Sequence, residues 1–351
     1  MAKLAHIAVM GVSGYAGAEL VRLLLGHPAR TAQGPLLLGR AQSAPELLEA
    51  LHPQLRNPSA QKAQTVVPFD WQTLKDHGTE ILMLATPHEQ SREVVPEALA
   101  RGLRVIDLSG AWRLNAAQNR AVYSFADEGS AEAQSVQARA VYGMPELHRA
   151  AIRQAQLVAN PGCYATSMIL ALKPLLASGW VDLSRGIVCD AKSGVSGAGK
   201  APSAKTHFMY AADNLSAYGL FGHRHMGELL EQLDLNSDEI VFTPHLLPIP
   251  RGILSTIYVH FAEPRQVNEV EDCLRSFYAA SPLVRVYPAR QLPQIQYSVR
   301  TNYCDIGFEI DKSGRRCILV SCLDNLLKGA ASQAVQNLNL MCGLDEAEGL
   351  V

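Results

Sequence analysis

LAHIAVMGVSGYAGAELVRLLL, residues 4–25, is the stretch that decides the fold. Leu4 to Met10 is a short apolar strand, and glycines at 11, 14 and 17 turn the chain into a helix over Ala18 to Leu25. Glycines at a strand-to-helix turn let the backbone approach a pyrophosphate seated on the helix N-terminus. Gly11, Ser13, Gly14, Tyr15, Ala16 and Gly17 are therefore the candidate cofactor contacts. The spacing is GxxGxxG instead of the commoner GxGxxG, and a tight turn that binds nothing is written with the same letters. Its position after a first strand favours a nucleotide site.

Outward from this turn the α/β alternation continues through the first part of the chain. Gly34 to Leu38 reads as the second strand, followed by Gly39-Arg40-Ala41-Gln42-Ser43. An acidic residue there would bind a ribose 2′-hydroxyl, whereas an arginine accommodates a 2′-phosphate. Arg40, with Ser43 as a further donor, favours NADP over NAD; the alternative is a solvated surface arginine. Glu80 to Ala85 is a strand running into the Pro87 loop and a helix over Arg92 to Arg101, and Arg104 to Leu108 is another strand ending near Arg113. Val158-Ala159 then leads into Asn160-Pro161-Gly162-Cys163-Tyr164-Ala165-Thr166. Ligands of parallel sheets bind outside the carboxyl ends of the strands, so these loops share one rim.

Pro161 and Gly162 make a turn, and Met168 to Leu176 is apolar and helix-forming, so Cys163 falls in the first helical turn. The positive dipole end there stabilises a thiolate. A buried structural cysteine satisfies the segment equally well. Past Cys163 the texture changes: Gly186 to Ala191 and Leu254 to Phe261 read as strands of an antiparallel α+β domain, and Asp324 to Leu340 as a closing helix. Gly222-His223-Arg224-His225-Met226-Gly227-Glu228 supplies two imidazoles that share a face in strand-like geometry, and either could reach a sulfur. Zinc held by the pair with Glu228 competes with that reading but leaves Cys163 without a task.

Composition narrows the rest. The 351 residues are 48% hydrophobic and 18% charged, with net charge −2. No basic stripe argues for nucleic acid or an anionic membrane. The opening ten residues do not read as a signal peptide, and no apolar run has transmembrane length. Seven cysteines with no CxxC pair point to a reducing, cytoplasmic setting. No metal centre is expected.

The chain resembles the N-acetyl-γ-glutamyl-phosphate reductases nearly end to end. The resemblance is carried by GVSGYAGAEL (11–20), ATPHEQS (85–91), DLSGAWRL (107–114), YGMPELHR (142–149), NPGCYATS (160–167), KSGVSGAGK (192–200), GHRHMGEL (222–229), FTPHLLPIPRGIL (242–254), TNYCDIGFE (301–309) and DNLLKGAASQAVQNLN (324–339). It implies an α/β fold like that of the glyceraldehyde-phosphate and semialdehyde dehydrogenases. A Rossmann-type NADP-binding domain would span 1–160, with residues 324–351 packing back on it, and an α+β catalytic and dimerisation domain 161–323. It further implies NADPH-dependent reduction of an acyl phosphate to a semialdehyde of arginine synthesis through a thioester on Cys163. His223 is then the base, with His225 and Glu228 as orienting or substrate-contacting neighbours. Pro87, Ser193, Gly194 and Asn325 become cofactor contacts, and Asn325 doubles as a possible helix cap. Asn160, Arg113 and Arg251 are candidate substrate contacts, with Lys192 and Lys200 as further cations for a phosphate or carboxylate. A homodimer or homotetramer is implied, with a small-molecule substrate and no nucleic-acid or membrane partner. Gly227 stands where the family commonly has proline, and Ser332 where glycine is usual. Two rivals remain: a reductase of a longer 2-aminoadipate derivative in lysine synthesis, and an NADP-sensing module needing neither Cys163 nor His223.

Overall fold

The computed structural model describes residues 4–57 and 63–351, so Met1 to Lys3 of the opening stretch lie outside the described residues. The chain divides into two compact units. One is built from Met1–Arg113, Phe125–Asn160 and Ala330–Val351, the other from Leu114–Ser124 and Pro161–Gly329.

Among the described residues of the first unit, eight strands form one sheet. They are β1 Ile7–Met10, β2 Leu36–Leu38, β3 Glu46–Leu47, β4 Thr65–Val67, β5 Ile81–Leu84, β6 Arg104–Asp107, β7 Ala140–Tyr142 and β8 Leu157–Ala159. Their order is β3-β4-β2-β1-β5-β6-β8-β7, parallel throughout except for β3 against β4. β1 and β5 are buried at every position, as expected of parallel strands covered on both faces. The strand order reverses between β1 and β5, where a doubly wound sheet opens its crevice. The register puts Met10 level with Leu38 and Leu84, Leu84 with Asp107, and Asp107 with Ala159, so the loops that follow leave along one edge. The helix after β5 begins at His88, ahead of the Arg92 expected, because Pro87 is its N-cap.

The closing helix is shorter than expected. Asp324 takes the amides of Leu326 and Leu327 on its carboxylate, a π turn follows over Leu327–Ala331, and the α-helix proper is Ser332–Met341. Its polar face is buried because it satisfies backbone: Gln333 and Asn337 donate to the Gly143 carbonyl, and Asn337 also donates to Asn160 Oδ1.

The second unit carries a seven-stranded sheet among the described residues. Its strands are β9 Ile187–Gly194, β10 Ser216–Ala217, β11 Ile240–Leu247, β12 Ile253–His260, β13 Val284–Val286, β14 Cys304–Ile310 and β15 Arg316–Leu323. The order is β10-β11-β9-β12-β15-β14-β13. An antiparallel sheet was expected, but β11 runs parallel to β9 and β13 to β14. The chain between β9 and β11 is long and includes the helix Met226–Leu233, which gives the crossover a parallel pair requires. β9, β11 and β12 alternate buried and open positions, so one face is covered and the other is not. The covered face meets the helix Cys163–Ala177, where Ser167 Oγ lies 2.9 Å from Ser255 Oγ and 3.0 Å from Ser321 Oγ. The open face carries a row of register partners, Val241, Val188, Tyr258 and Ile318, all exposed.

Candidate active site

The glycine turn of the first unit is backbone packed on backbone. Gly11 sits at φ +88°, and a Cβ there would come within 2.3 Å of the Ala85 carbonyl oxygen. One at Gly17 would meet the Gly11 carbonyl oxygen at 2.2 Å. No side chain but hydrogen fits at either position, so the loops after β1 and β5 lie in contact. Gly14 is the N-cap of the helix Tyr15–Gly26; no side chain caps that end and its first turn holds no acid. A helix start in this condition attracts an anion, so the residues present fit the pyrophosphate of a dinucleotide. His52, buried, donates from Nε2 to the Val12 carbonyl at 2.8 Å and steadies the turn. Ser13 and Tyr15 are exposed, with the partly buried Ala16 between Tyr15 and the buried Gly17. Arg40 is exposed just past β2, and the Ser43 hydroxyl donates back to the Arg40 carbonyl at 2.8 Å, closing the turn that presents it. Pro87 begins the loop-to-helix step after β5.

Arg113 and Asn160 lie inside the first unit instead of in the open. Arg113 Nε donates to the Asn160 carbonyl at 2.7 Å and its Nη2 to the Leu108 carbonyl at 2.8 Å. Asn160, fully buried, donates to the Ala330 carbonyl and accepts from Asn337. Both side chains fasten the ends of β6 and β8.

The thiol site lies in the second unit. Cys163 is the first residue of its helix, partly exposed, with Gly162 as an N-cap that offers no side-chain cap. Glu228, fully buried, accepts the Gly162 amide on Oε2 at 2.9 Å. A carboxylate is favoured at that end of a helix. His225 lies against the same glycine: a Cβ at 162 would fall 2.3 Å from His225 Nε2. That nitrogen is 3.9 Å from Glu228 Oε1. On its far side Cys163 is met by Gly329, where an added Cβ would lie 2.7 Å from the cysteine Cβ. None of the seven cysteines is joined in a disulfide among the described residues. Burial raises the thiols of Cys189 and Cys322, and pushes that of Cys317 up to about 12, which keeps them protonated.

The two histidines do not share a strand face as expected. They occupy the turn before the helix Met226–Leu233, with ring centroids 4.8 Å apart. His223 packs edge-on to Tyr164 at 5.6 Å and Phe242 at 5.1 Å, and tilts over Tyr218 at 5.7 Å. Burial, with Arg224 beside it, lowers its pKa to about 4, so the ring is neutral near pH 7. Its Nδ1 accepts the His225 amide at 3.1 Å, fixing the tautomer at that nitrogen. Tyr164 donates to the His245 carbonyl at 2.7 Å and shares a hydrogen bond with Tyr218. Burial raises both phenols, Tyr218 to about 12.

A second knot joins the strand ends beside Gly329. Asn325 accepts the Gly252 amide at 2.7 Å and donates to Ser196 Oγ at 2.9 Å; it ties two loops, while Asp324 does the capping. Ser193 is buried, and Gly194 is pressed on Arg251, whose amide nitrogen would be 2.7 Å from an added Cβ. The Arg251 guanidinium lies 3.1 Å from the buried Asp324 carboxylate. Lys192 is paired with Asp190, and Lys200 is exposed. The fold thus gathers Cys163, His223, His225 and Glu228 in one place and Ser193, Gly194, Arg251 and Asn325 around Asp324. Sequence reasoning missed Tyr164, Tyr218, Phe242 and Gly329, which wall this site. Tyr164, Phe242 and Gly329 lay inside quoted blocks, but nothing in those blocks says what they touch. Gly227 also has a reason: an added Cβ would meet Leu114 Cδ1 at 2.9 Å and Asn119 Cβ at 3.0 Å. The segment Leu114–Ser124 is held there by Glu231, which accepts the Asn115 and Ala116 amides. Among the described residues, no group of three His, Cys, Asp or Glu could hold a metal ion, and no helix is long and apolar enough to cross a membrane.

Residues 6–155 match the semialdehyde dehydrogenase NAD binding domain and residues 163–325 the semialdehyde dehydrogenase dimerisation domain. Fold and site together define a two-domain oxidoreductase of the semialdehyde dehydrogenase class. Aspartate semialdehyde dehydrogenase II of Vibrio cholerae has the same fold, with TM-score 0.70 at 20% identity over 97% of this chain and 98% of that one. The enzyme of Francisella tularensis gives 0.69 at 15% identity, covering 96% and 100%. Nearer in sequence, the N-acetyl-gamma-glutamyl-phosphate reductase of Geobacter sulfurreducens is 43% identical over 98% of this chain and 97% of its own length. That of Campylobacter jejuni is 38% identical over the same shares. The chain belongs to the N-acetyl-gamma-glutamyl-phosphate reductase family.

Proposed function

We propose that this protein reduces N-acetyl-γ-glutamyl phosphate to N-acetylglutamate 5-semialdehyde and phosphate with NADPH, a step of arginine biosynthesis in the cytoplasm. The observation that carries the reading is the arrangement at residue 162: its amide sits on Glu228, its bare Cα lies under His225, and the thiol follows next in the chain.

Cys163 is the nucleophile. Its thiol loses a proton to a histidine, the thiolate adds to the acyl carbon, and the carbon–oxygen bond to phosphate breaks, leaving a thioester. His225 is the better placed base, because it abuts Gly162 and is oriented by Glu228. His223, named first by resemblance, stands behind it as a neutral ring that fixes the turn. NADPH, when bound, supplies the hydride that reduces the thioester carbonyl. The resulting alkoxide re-forms its double bond and expels the sulfur of Cys163. Amides of the first helical turn are the natural donors to that oxyanion, and the Gly162 amide is already taken by Glu228.

Residues 1–160 with the closing helix hold the cofactor, and 161–323 carry the chemistry. Gly11, Ser13, Gly14, Tyr15, Ala16 and Gly17 cradle the pyrophosphate, Arg40 meets the 2′-phosphate, and Pro87, Ser193, Gly194 and Asn325 approach the nicotinamide. Arg113 and Asn160 act as positioning residues, and Arg251, already paired, orients the strand ends and meets the substrate anion only at its outer edge. The open row Val241, Val188, Tyr258 and Ile318 is where a homodimer, or two dimers in a tetramer, would join. The relatives above carry the acetylglutamyl name, which favours that substrate over the aminoadipyl one. Enzyme quenched with the acyl phosphate and no reductant should show an acyl adduct on the Cys163 peptide by mass spectrometry. Adducts found only elsewhere would reject the mechanism.

A further inference from the structure

The segment leading into the histidine turn is strongly apolar and open to water. Phe208, Met209 and Tyr210 share the helical turn Phe208–Ala211 and are 76%, 76% and 67% exposed; Phe221 is 89% exposed. Soluble monomers seldom carry apolar patches beyond a few hundred Å². Three aromatic side chains of roughly 150–250 Å² each, mostly exposed, put about 300–500 Å² of apolar surface in water. A stable interface takes about 800 Å² from each partner, so this arm supplies about half of one side.

Three further observations favour a fixed interface over a loose loop. Ser203 and Thr206 close a capping box at the start of the arm, and β10 pairs with β11 at the sheet edge. Phe221 adopts φ +57°, a left-handed conformation that a bulky residue holds only where its surroundings impose it. Ala217 lies opposite His245 in the antiparallel register and so shares its outward face, which runs along β11 to Val241 and on to Tyr258. β10, within the arm, therefore continues the open face of the sheet at Ala217. The arm also ends on the site: the Tyr218 ring stands 5.7 Å from that of His223, and Gly219 packs beneath the same imidazole.

We propose that a second copy of this chain covers the arm over Phe208–Phe221, and that this contact holds the turn bearing His223 and His225. The inference rests on reading the second unit as a dimerisation domain, but it places the partner against the catalytic histidines as well as the sheet.

The test is sedimentation velocity with turnover on the full chain carrying Phe208→Ser and Phe221→Ser, beside Tyr258→Glu on the open face. Wild-type protein should be an oligomer. The arm variant should sediment as a smaller species, lose at least tenfold in kcat per subunit on dilution, and recover as it is concentrated. An arm variant of wild-type size and turnover, while Tyr258→Glu dissociates, overturns the proposal and leaves the dimerisation reading standing. A monomeric wild type overturns both. Should the arm variant not fold, hydroxyl-radical footprinting of wild-type protein decides. Phe208 and Phe221 oxidised less in the oligomer than in the diluted chain support the contact; equal oxidation, or protection that follows NADPH instead of concentration, overturns it.

Discussion

Met83 in β5 and Tyr258 in β12 are both large side chains in the middle of a sheet, but Met83 is fully buried and Tyr258 is 40% exposed. β5 lies in a sheet covered on both faces within one chain, which leaves only its strand ends for a ligand. β12 lies in a sheet covered on one face, which leaves a whole surface for another molecule. One sheet is built to present loops and the other to present a face. The candidate groups fall along the same line: the glycine turn belongs to the first unit, and Cys163 with the two histidines to the second.

The hardest blow to that division is a pair of variants with opposite signatures. Cys163→Ser should lower kcat by at least about 10⁴-fold while NADPH affinity, followed by fluorescence titration, stays within about twofold. Gly11→Ala should do the reverse, weakening NADPH by at least about tenfold because the new methyl group meets the Ala85 carbonyl, while Cys163 is still acylated by the acyl phosphate. Loss of cofactor binding in the first variant, or of acylation in the second, would break the division.

The two sheet faces are compared directly by placing the same charge on each. Met83→Glu should cost about 4 kcal/mol or more and give little folded protein, since it buries an unpaired carboxylate. Tyr258→Glu should leave the melting temperature of the isolated subunit within a few degrees and weaken association. Equal damage at both positions, measured by chemical denaturation, would mean the open face is closed within the chain.

A smaller effect separates the two imidazoles. His223 holds its pKa at about 4 in the folded state against 6.5 ordinarily, chiefly through burial. Above pH 6.5 the ring is neutral folded or unfolded, and its environment costs nothing. As pH falls from 6.5 toward 4, the unfolded chain takes up a proton that the folded ring refuses. Stability should therefore drop across that window by up to about 3 kcal/mol. His223→Asn should flatten this part of the profile, and His225→Asn should leave it while lowering kcat by about 10²–10⁴-fold.

Much of this was legible in the letters. The strand–glycine–helix opening could be read because Gly11 and Gly17 are positions where only hydrogen fits, and that constraint leaves a local trace. Cys163 could be placed because a turn before an apolar run marks a helix start. What escaped depends on partners distant in the chain. Nothing local tells β11 to run parallel to β9, since burial alternation fixes a strand's face and not its neighbour. Glu228 looked like one more acid beside two histidines; only the fold puts its carboxylate on the amide of residue 162. Leu114–Ser124 follows a Rossmann strand yet belongs with the second unit, through Glu231 and Gly227.

An added Cβ at Gly162 would run into the His225 ring, and one at Gly329 into the Cβ of Cys163, so neither position has room for a methyl group as the chain stands. Engineering of this protein toward bulkier substrates will find no slack at these two positions beside Cys163. Extra room has to come from side chains that can be shortened, such as Tyr218 and Phe242 beside His223.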